Sequence, residues 1–195
     1  MSHYAVIVIG TSWGGLEALG TIVRGLPPDF PIPLVAVQHR GRDARPMLAG
    51  LLQHVTGLTV SEAEDKDVLE PGRLLLAPPD YHLLVEDGYI SLDTGDVVKF
   101  SRPSIDVTFM SAADTYRDRA IGVVLTGAND DGAVGLRRIA DRGGMAIVED
   151  PAEATSPVMP AAALKAVPHA AMLPLRQIPR ELVRLSGGTT RRRPA

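Results

Sequence analysis

The stretch VIVIGTSWGGLEAL, residues 6–19, joins an apolar run to the start of a helix through a turn rich in glycine. The run VIVI is β-branched and uninterrupted, which is typical of a strand buried on both faces of a parallel sheet. Apolar residues then recur at helical spacing, at Leu16, Leu19, Ile22 and Val23. A strand, a tight turn and a helix in this order predict one half of a βαβ unit.

The same order returns along the chain. The runs IPLVAVQH, AIGVVLTG and GGMAIVED have the composition of buried strands, and apolar residues at helical spacing follow the first two of them. The sequence therefore predicts an α/β fold with a doubly wound, mostly parallel sheet and helices on both faces. A further helix is predicted from RPSIDVTFMSAADTYRD, with Ser104 near its N-cap.

The middle of the chain departs from this pattern. The segment GRLLLAPPDYHLLVEDGYISLD contains short strands, a Pro-Pro break and an Asp87-Gly88 turn. These features predict an antiparallel hairpin, which we expect at one edge of the sheet. We expect residues 1–186 to form a single domain, and residues 187–195, which include the run RRR, to form a flexible basic tail.

The bulk composition excludes several classes of protein. Apolar residues make up 45% and charged residues 22% of the chain, which is a globular composition. The net charge of -3 gives no indication of a nucleic-acid partner. We expect no membrane insertion, because no apolar stretch reaches the length of a span and no basic leader is visible. The chain contains no cysteine, which excludes thiol chemistry and suits a cytoplasmic location.

Ser12 lies where the first predicted strand ends and its helix begins, which is where doubly wound sheets bind ligands. Residues 10–14, GTSWG, match G-x-S-x-G, a sharp turn that exposes a serine hydroxyl and leaves backbone amides free for an oxyanion. A ligand cradle is a second interpretation, although Leu16 stands where a phosphate loop needs lysine. A structural turn is the third. The motif alone does not decide among them.

His39 and a carboxylate of the chain are predicted to reach the same rim of the sheet as Ser12. His39 ends the second strand run, and Asp130 and Asp131 lie in the glycine turn after the run AIGVVLTG. A histidine can take the proton of a serine, and a carboxylate can orient the imidazole. The alternatives are that Asp131 caps the helix beginning near Gly132 and that His39 is a hydrogen-bonded residue at a strand end. No metal-ligand spacing is visible in the other histidines, His3, His54, His82 and His169.

Six blocks of the sequence, taken in order, resemble one known family. They are IGTSWGG, VQH, LEPGRLLLAPPDYHLLVE, RPSIDVTFMSAA, VVLTGANDDGAVGL and EDPAEATSPVMPAAAL, and they extend over almost the whole chain. The chain resembles the catalytic domain of the bacterial chemotaxis protein-glutamate methylesterases of the CheB type. The resemblance implies a Ser-His-Asp triad of Ser12, His39 and Asp131. It also implies that the backbone amides of Trp13 and Ala128 bind the oxyanion.

Two of these positions depart from the family's pattern. The family commonly has a small residue or threonine in place of Trp13, and methionine in place of Ala128. Such substitutions keep the backbone N–H donors, but they change the side chains that form the wall of the pocket. Trp13 is the one tryptophan of the chain. It either stands beside the nucleophile and narrows the pocket or packs under the neighbouring helix.

The resemblance implies an esterase that needs no cofactor. Ser12 would form an acyl-enzyme with the glutamate side chain and release methanol, and the same chemistry would deamidate certain glutamines. The implied partner is a methyl-accepting chemotaxis receptor or a receptor-like signalling protein. Four arginines either contact its helices or, as the alternative, are simply solvated; they are Arg40, Arg42, Arg45 and Arg102.

Members of the family commonly carry a receiver domain before the catalytic domain. Only three residues precede the first predicted strand, so we expect no receiver domain in this chain. The chain either works without that control, is regulated by a separate receiver protein, or is a piece of a longer protein. Two other functions stay open. One is a hydrolase of the same fold that acts on a different ester or amide, and the other is a non-catalytic module that binds a signalling partner.

Overall fold

The computed structural model describes residues 2–41 and 47–187. Its strands and helices alternate along most of the chain, as the apolar runs predict. In chain order they are β1 (Val6–Thr11), α1 (Gly15–Arg24), β2 (Leu34–Gln38), α2 (Leu48–Gln53), β3 (Thr59–Glu62), β4 (Arg73–Leu76), β5 (His82–Val85), β6 (Ile90–Asp93), α3 (Ile105–Tyr116), β7 (Ala120–Val124), α4 (Ala133–Asp141), β8 (Met145–Glu149), α5 (Val158–Ala166), β9 (Ala171–Leu173) and α6 (Ile178–Leu185).

Seven strands form the main sheet, in the order β3-β4-β2-β1-β7-β8-β9, and every neighbouring pair is parallel. Side chains of β1 alternate between two cores. Val6 and Val8 pack with α3, α4 and α5, whereas Ile7 and Ile9 pack on the opposite face with α1, α2 and α6. The predicted doubly wound α/β fold with helices on both faces is therefore confirmed.

The predicted hairpin is also present, as β5 and β6 joined by a turn in which Gly88 has a φ of 84°. It forms a separate two-stranded sheet, so its expected place at an edge of the main sheet is wrong; β3 and β9 are the edges. The reason is that α3 supplies the partners of β5. Thr108 Oγ1 donates to Leu83 O and Thr115 Oγ1 to Val85 O. These hydroxyls cover a strand edge that would otherwise seek another strand.

The order of the strands reverses at β1. The connection from β1 leads through α1 on one face, and the connection from β7 leads through α4 on the other. The two connections diverge at the carboxyl ends of β1 and β7, and such a switch point is where open α/β sheets bind ligands. Ser12 and Asp131 lie in the loops that follow these two strands.

Two further predictions concern residues that the structure does not describe. Most of the predicted tail, residues 188–195, lies outside the described residues, as do Arg42 and Arg45. None of the helices in the described part of the chain combines the length and apolar character that a membrane span requires.

Gly10 lets α3 approach the sheet next to Ser12. A methyl group at Gly10 would overlap Ile105 Cγ2, whereas no atom lies within 4 Å of a methyl group at Gly50 in α2. We expect Gly10→Ala to lower the free energy of unfolding by about 1–3 kcal/mol, because it overpacks the core. Gly50→Ala, the matched control, should raise it by up to about 1 kcal/mol through helix propensity. Urea denaturation measures both, and equal midpoints would contradict the packing argument.

Candidate active site

Ser12 follows β1 directly, and its backbone N–H donates to Thr126 O, in the loop after β7, at 2.9 Å. The turn after it needs glycine twice. Gly14 has a φ of 82°, which favours glycine, and a methyl group on Gly15 would overlap Gln38 Oε1. The hydroxyl of Ser12 makes no hydrogen bond within residues 2–41 and 47–187. Ser12 Oγ is therefore available to a ligand.

His39 lies beside Ser12 because β1 and β2 run in register. Thr11 pairs with Gln38, His39 N–H donates to Thr11 O at 3.1 Å, and the Gln38 side-chain amide donates to Ser12 O at 2.8 Å. The next residues along the two strands are Ser12 and His39. Both line the same cavity. The structure thus brings these two predicted residues to one place.

Asp131 is completely buried and is paired with His39. His39 Nε2 lies 2.8 Å from Asp131 Oδ2. The carboxylate also accepts hydrogen bonds from Ser104 Oγ at 3.0 Å and from the N–H groups of Ile105 at 2.7 Å and Asp106 at 3.0 Å. Ionised carboxylates suit a helix N-terminus, where N–H groups point outward. Asp131 therefore stabilises the start of α3.

The interpretation of Asp131 as a cap for the helix that follows it is wrong. Gly132 is the N-cap of α4, and the backbone N–H groups that donate to the Asp131 carboxylate are those of Ile105 and Asp106 in α3. Burial alone would raise the pKa of Asp131, but the hydrogen bonds from His39 and from the N–H groups of Asp106 and Ile105 outweigh it, so its pKa lies below the ordinary value. Asp131 is ionised at neutral pH, as a partner of a protonated histidine must be.

Asp106 completes a reciprocal arrangement that sequence reasoning missed. Its Oδ1 accepts from Gly132 N–H at 2.9 Å and Gly135 N–H at 2.7 Å, so Asp106 in α3 caps the start of α4. Asp131, in the loop that leads into α4, caps the start of α3. Lys99 Nζ lies 2.9 Å from Asp106 Oδ2. Burial raises the pKa of Asp106, and the negative charge of Asp131 raises it further. The hydrogen bonds from Gly135 N–H and Lys99 lower the pKa, but they do not outweigh the rise. The one signal in the sequence that could have indicated a capping role for Asp106 is its place in the first turn of the predicted helix α3.

Thr126 connects the turns that follow β1 and β7, and it too was missed. Its carbonyl accepts from Ser12 N–H and Thr11 Oγ1, and its own hydroxyl donates to Trp13 O at 2.8 Å. Its N–H donates to Glu149 Oε2 at 2.7 Å. Burial raises the pKa of the Glu149 carboxyl, and this hydrogen bond opposes the rise. The pair holds both turns in one conformation.

The predicted oxyanion residues, Trp13 and Ala128, lie on these two turns. Both are exposed, and neither backbone N–H donates to an acceptor in the described chain. Trp13 is 69% exposed, so the alternative in which it packs under the neighbouring helix is wrong. Its side chain lines the cavity next to Ser12. On the other side, Asn129 Nδ2 lies 3.5 Å from His39 Nδ1.

The described arginines named as candidate receptor contacts are occupied within the protein. Arg40 pairs with Glu62 at 2.6 Å and donates to Ala77 O. Arg102 pairs with Asp80 at 2.6 Å and donates to two backbone carbonyls of the neighbouring loop. Both stabilise loops near the site. Within the residues that the structure describes, no group of three or more acidic or histidine side chains is arranged to hold a metal ion.

A doubly wound sheet that holds a serine at its switch point, beside a histidine paired with a buried aspartate, defines a hydrolase-type α/β domain. The family model "CheB methylesterase" matches residues 7–182, and the chain belongs to that family. The resemblance of the six sequence blocks is thereby confirmed.

Relatives and a solved structure agree with this membership. A protein from Leptospira interrogans, provisionally named protein-glutamate methylesterase/protein-glutamine glutaminase, is 44% identical over 94% of this chain and 95% of its own length. An Anaeromyxobacter dehalogenans protein of the same two activities is 44% identical, but the match covers 53% of that protein. The crystal structure of the Thermotoga maritima CheB methylesterase catalytic domain is 35% identical, with a TM-score of 0.90 over 93% of this chain and 98% of that one.

Removal of the Asp106 carboxylate should destabilise the protein, because two buried N–H groups at the start of α4 lose their acceptor. We expect Asp106→Ala to lower the free energy of unfolding by about 1–3 kcal/mol. Asp114→Ala is the matched control on the same helix, because Asp114 forms only exposed ion pairs, with Arg138 and Arg142. Its cost should not exceed about 1 kcal/mol. Equal losses in urea denaturation would contradict the reciprocal capping.

The lowered pKa of Asp131 predicts a pH-dependent stability. The ionised carboxylate stabilises the fold fully above the pKa of an unfolded aspartate, about 3.9, and this contribution disappears as pH falls through the lower folded pKa. The difference in unfolding free energy between the native protein and Asp131→Asn should therefore shrink as pH decreases from 7 to about 2. Denaturation series of both proteins test this. Curves that stay parallel over the whole range would show that the pKa of Asp131 does not change on folding, and would contradict the lowered pKa.

Proposed function

We propose that this chain is a serine hydrolase that removes methyl groups from glutamate methyl esters of chemotaxis receptors, and that Ser12, His39 and Asp131 are its triad. The observation that carries the proposal is the 2.8 Å pair between His39 and the buried Asp131, held beside Ser12 by the register of β1 and β2. Membership of the CheB methylesterase family supplies the substrate class. The names of the relatives from Leptospira and Anaeromyxobacter agree with it.

The proposed reaction begins with proton transfer. An ionised Asp131 favours the His39 tautomer that carries its proton on Nε2, which leaves the Nδ1 lone pair to take the proton of Ser12 Oγ. Ser12 Oγ attacks the ester carbonyl carbon, and the negative charge moves to the carbonyl oxygen. The free N–H groups of Trp13 and Ala128 are the proposed donors to this oxyanion.

The tetrahedral intermediate then collapses. The bond to the methoxy oxygen breaks, the leaving group takes the proton from His39, and methanol departs. The acyl-enzyme on Ser12 is hydrolysed by water, which His39 deprotonates in turn, and the products are a glutamate side chain and free Ser12. The negative charge of Asp131 stabilises the histidine cation in both steps. A glutamine side chain would react in the same way and release ammonia, the second activity in the relatives' names.

The proposal includes the partners of the site. The substrate is a methylated helix of a receptor, because the family acts, by its printed names, on glutamates of proteins. A separate receiver protein that controls access belongs to the same proposal. Trp13 and Leu16, at the mouth of the cavity, are 69% and 46% exposed, so another protein could cover them.

Methanol release from membranes that carry radiolabelled methyl-glutamyl receptors tests the proposed reaction. We expect the native chain to release methanol and Ser12→Ala to be slower by about a thousandfold or more, because a triad nucleophile has no substitute. Ser91→Ala, on the hairpin strand β6, is the matched control and should keep the native rate. Equal rates for native protein and Ser12→Ala would disprove the mechanism. Absence of release by folded native protein would favour another ester or a binding module.

A further inference from the structure

A groove of about 830 Å³ lies between α1 and α2 and opens at Ser12 and His39. Its walls are largely apolar. The large apolar side chains that line it are Trp13, Leu16, Leu48, Leu51, Leu52 and Val55. Leu48 and Leu52 are buried and form its floor, whereas Leu51 is 48% and Val55 36% exposed. Contiguous apolar side chains left in solvent, next to a reactive site, indicate a surface that binds a partner.

The shape of the groove follows helical geometry. Leu16, Gly20 and Arg24 all line it and lie on one stripe of α1, spaced by four residues. At 1.5 Å per residue this stripe is about 12 Å long, and Trp13 extends it toward Ser12. Gly20 contributes no side chain, and the guanidinium of Arg24 lies beside it, 3.1 Å from the position that a Cβ would take. A narrow apolar groove two to three turns long is the usual receptor for one face of an amphipathic helix.

Charged side chains also line the groove. Arg40 is already paired with Glu62. Glu17 and Arg24 also line the groove, and neither has an ion-pair partner among residues 2–41 and 47–187. Arg24 is the last residue of α1, and its side chain reaches back along the helix to Gly20. A partner helix therefore gains most from an acidic residue whose carboxylate reaches this guanidinium.

We propose that this groove binds the helix that carries the esterified glutamate. The helix contributes two apolar side chains about one and two turns from the glutamate, and an acidic residue about three turns away that pairs with Arg24. The inference rests on the proposed function and deepens it. The occupant is the substrate itself because the groove is continuous with Ser12, so a protein chain whose ester reaches Ser12 must pass Trp13 and Leu16.

Binding can be measured separately from catalysis, because Trp13 is the one tryptophan of the chain and lines the groove. The probe is a helical peptide with leucines at about +3 and +7 and a glutamate at about +11 from a norleucine that replaces the ester residue. We expect saturable change in Trp13 fluorescence. Val55→Ser should weaken binding about tenfold, by removing an apolar wall. Val134→Ser, whose valine is 54% exposed on α4 outside the groove, is the matched control and should bind as the native chain does.

Changes in the peptide complete the test. Serine in place of both leucines should weaken binding to the native chain but weaken it little further in Val55→Ser, because both changes remove the same contacts. No fluorescence change, or equal weakening by Val55→Ser and Val134→Ser, would overturn the groove as the binding site. The same peptide with a glutamate methyl ester separates the two proposals. Binding without methanol release counts against the proposed function, and release without groove dependence counts against this inference.

Discussion

The structure around the site depends on the buried carboxylate of Asp131. This one group accepts hydrogen bonds from the start of α3 and from His39, and it has no access to water. A buried charge is tolerated only when its partners stay in place. The need to pair the Asp131 carboxylate therefore holds three parts of the structure in place relative to one another: the imidazole of His39, the first turn of α3 and the loop after β7. Asp106 accepts hydrogen bonds from the N–H groups at the start of α4 in the same way, so the N-termini of α3 and α4 are held together.

The topology explains why Ser12, His39 and Asp131 lie at one edge of the sheet. Ser12, His39 and Asp131 follow three adjacent strands of the sheet, β1, β2 and β7, whose carboxyl ends share one edge. Thr126 then ties the turn after β7 to the turn after β1, with Glu149 behind it. Ser12 is thus held by strand register and backbone hydrogen bonds. In our proposal, the groove between α1 and α2 adds a surface that selects which helix presents its glutamate.

The sheet and its helices were predictable from the sequence, because strands buried on both faces leave continuous apolar runs and helices leave spaced ones. The position of the hairpin was not, since it depends on the hydroxyls of Thr108 and Thr115 in a helix later in the chain. The glycine turn after β7 indicated Asp130 and Asp131, and the family resemblance selected Asp131. The role of Asp131 as a cap for α3 is visible only in three dimensions. Thr126 and Glu149 carried no local signal, because their partners are distant in sequence.

The central claim is that the pair of His39 and Asp131 activates Ser12. The most direct measurement is the rate at which a fluorophosphonate modifies the full chain, with the modified residue located by mass spectrometry. The account predicts a single adduct on Ser12, formed about a thousandfold or more slowly in Asp131→Asn, where the imidazole loses its orientation and its counter-charge. An adduct elsewhere, or the same rate in both proteins, would contradict it.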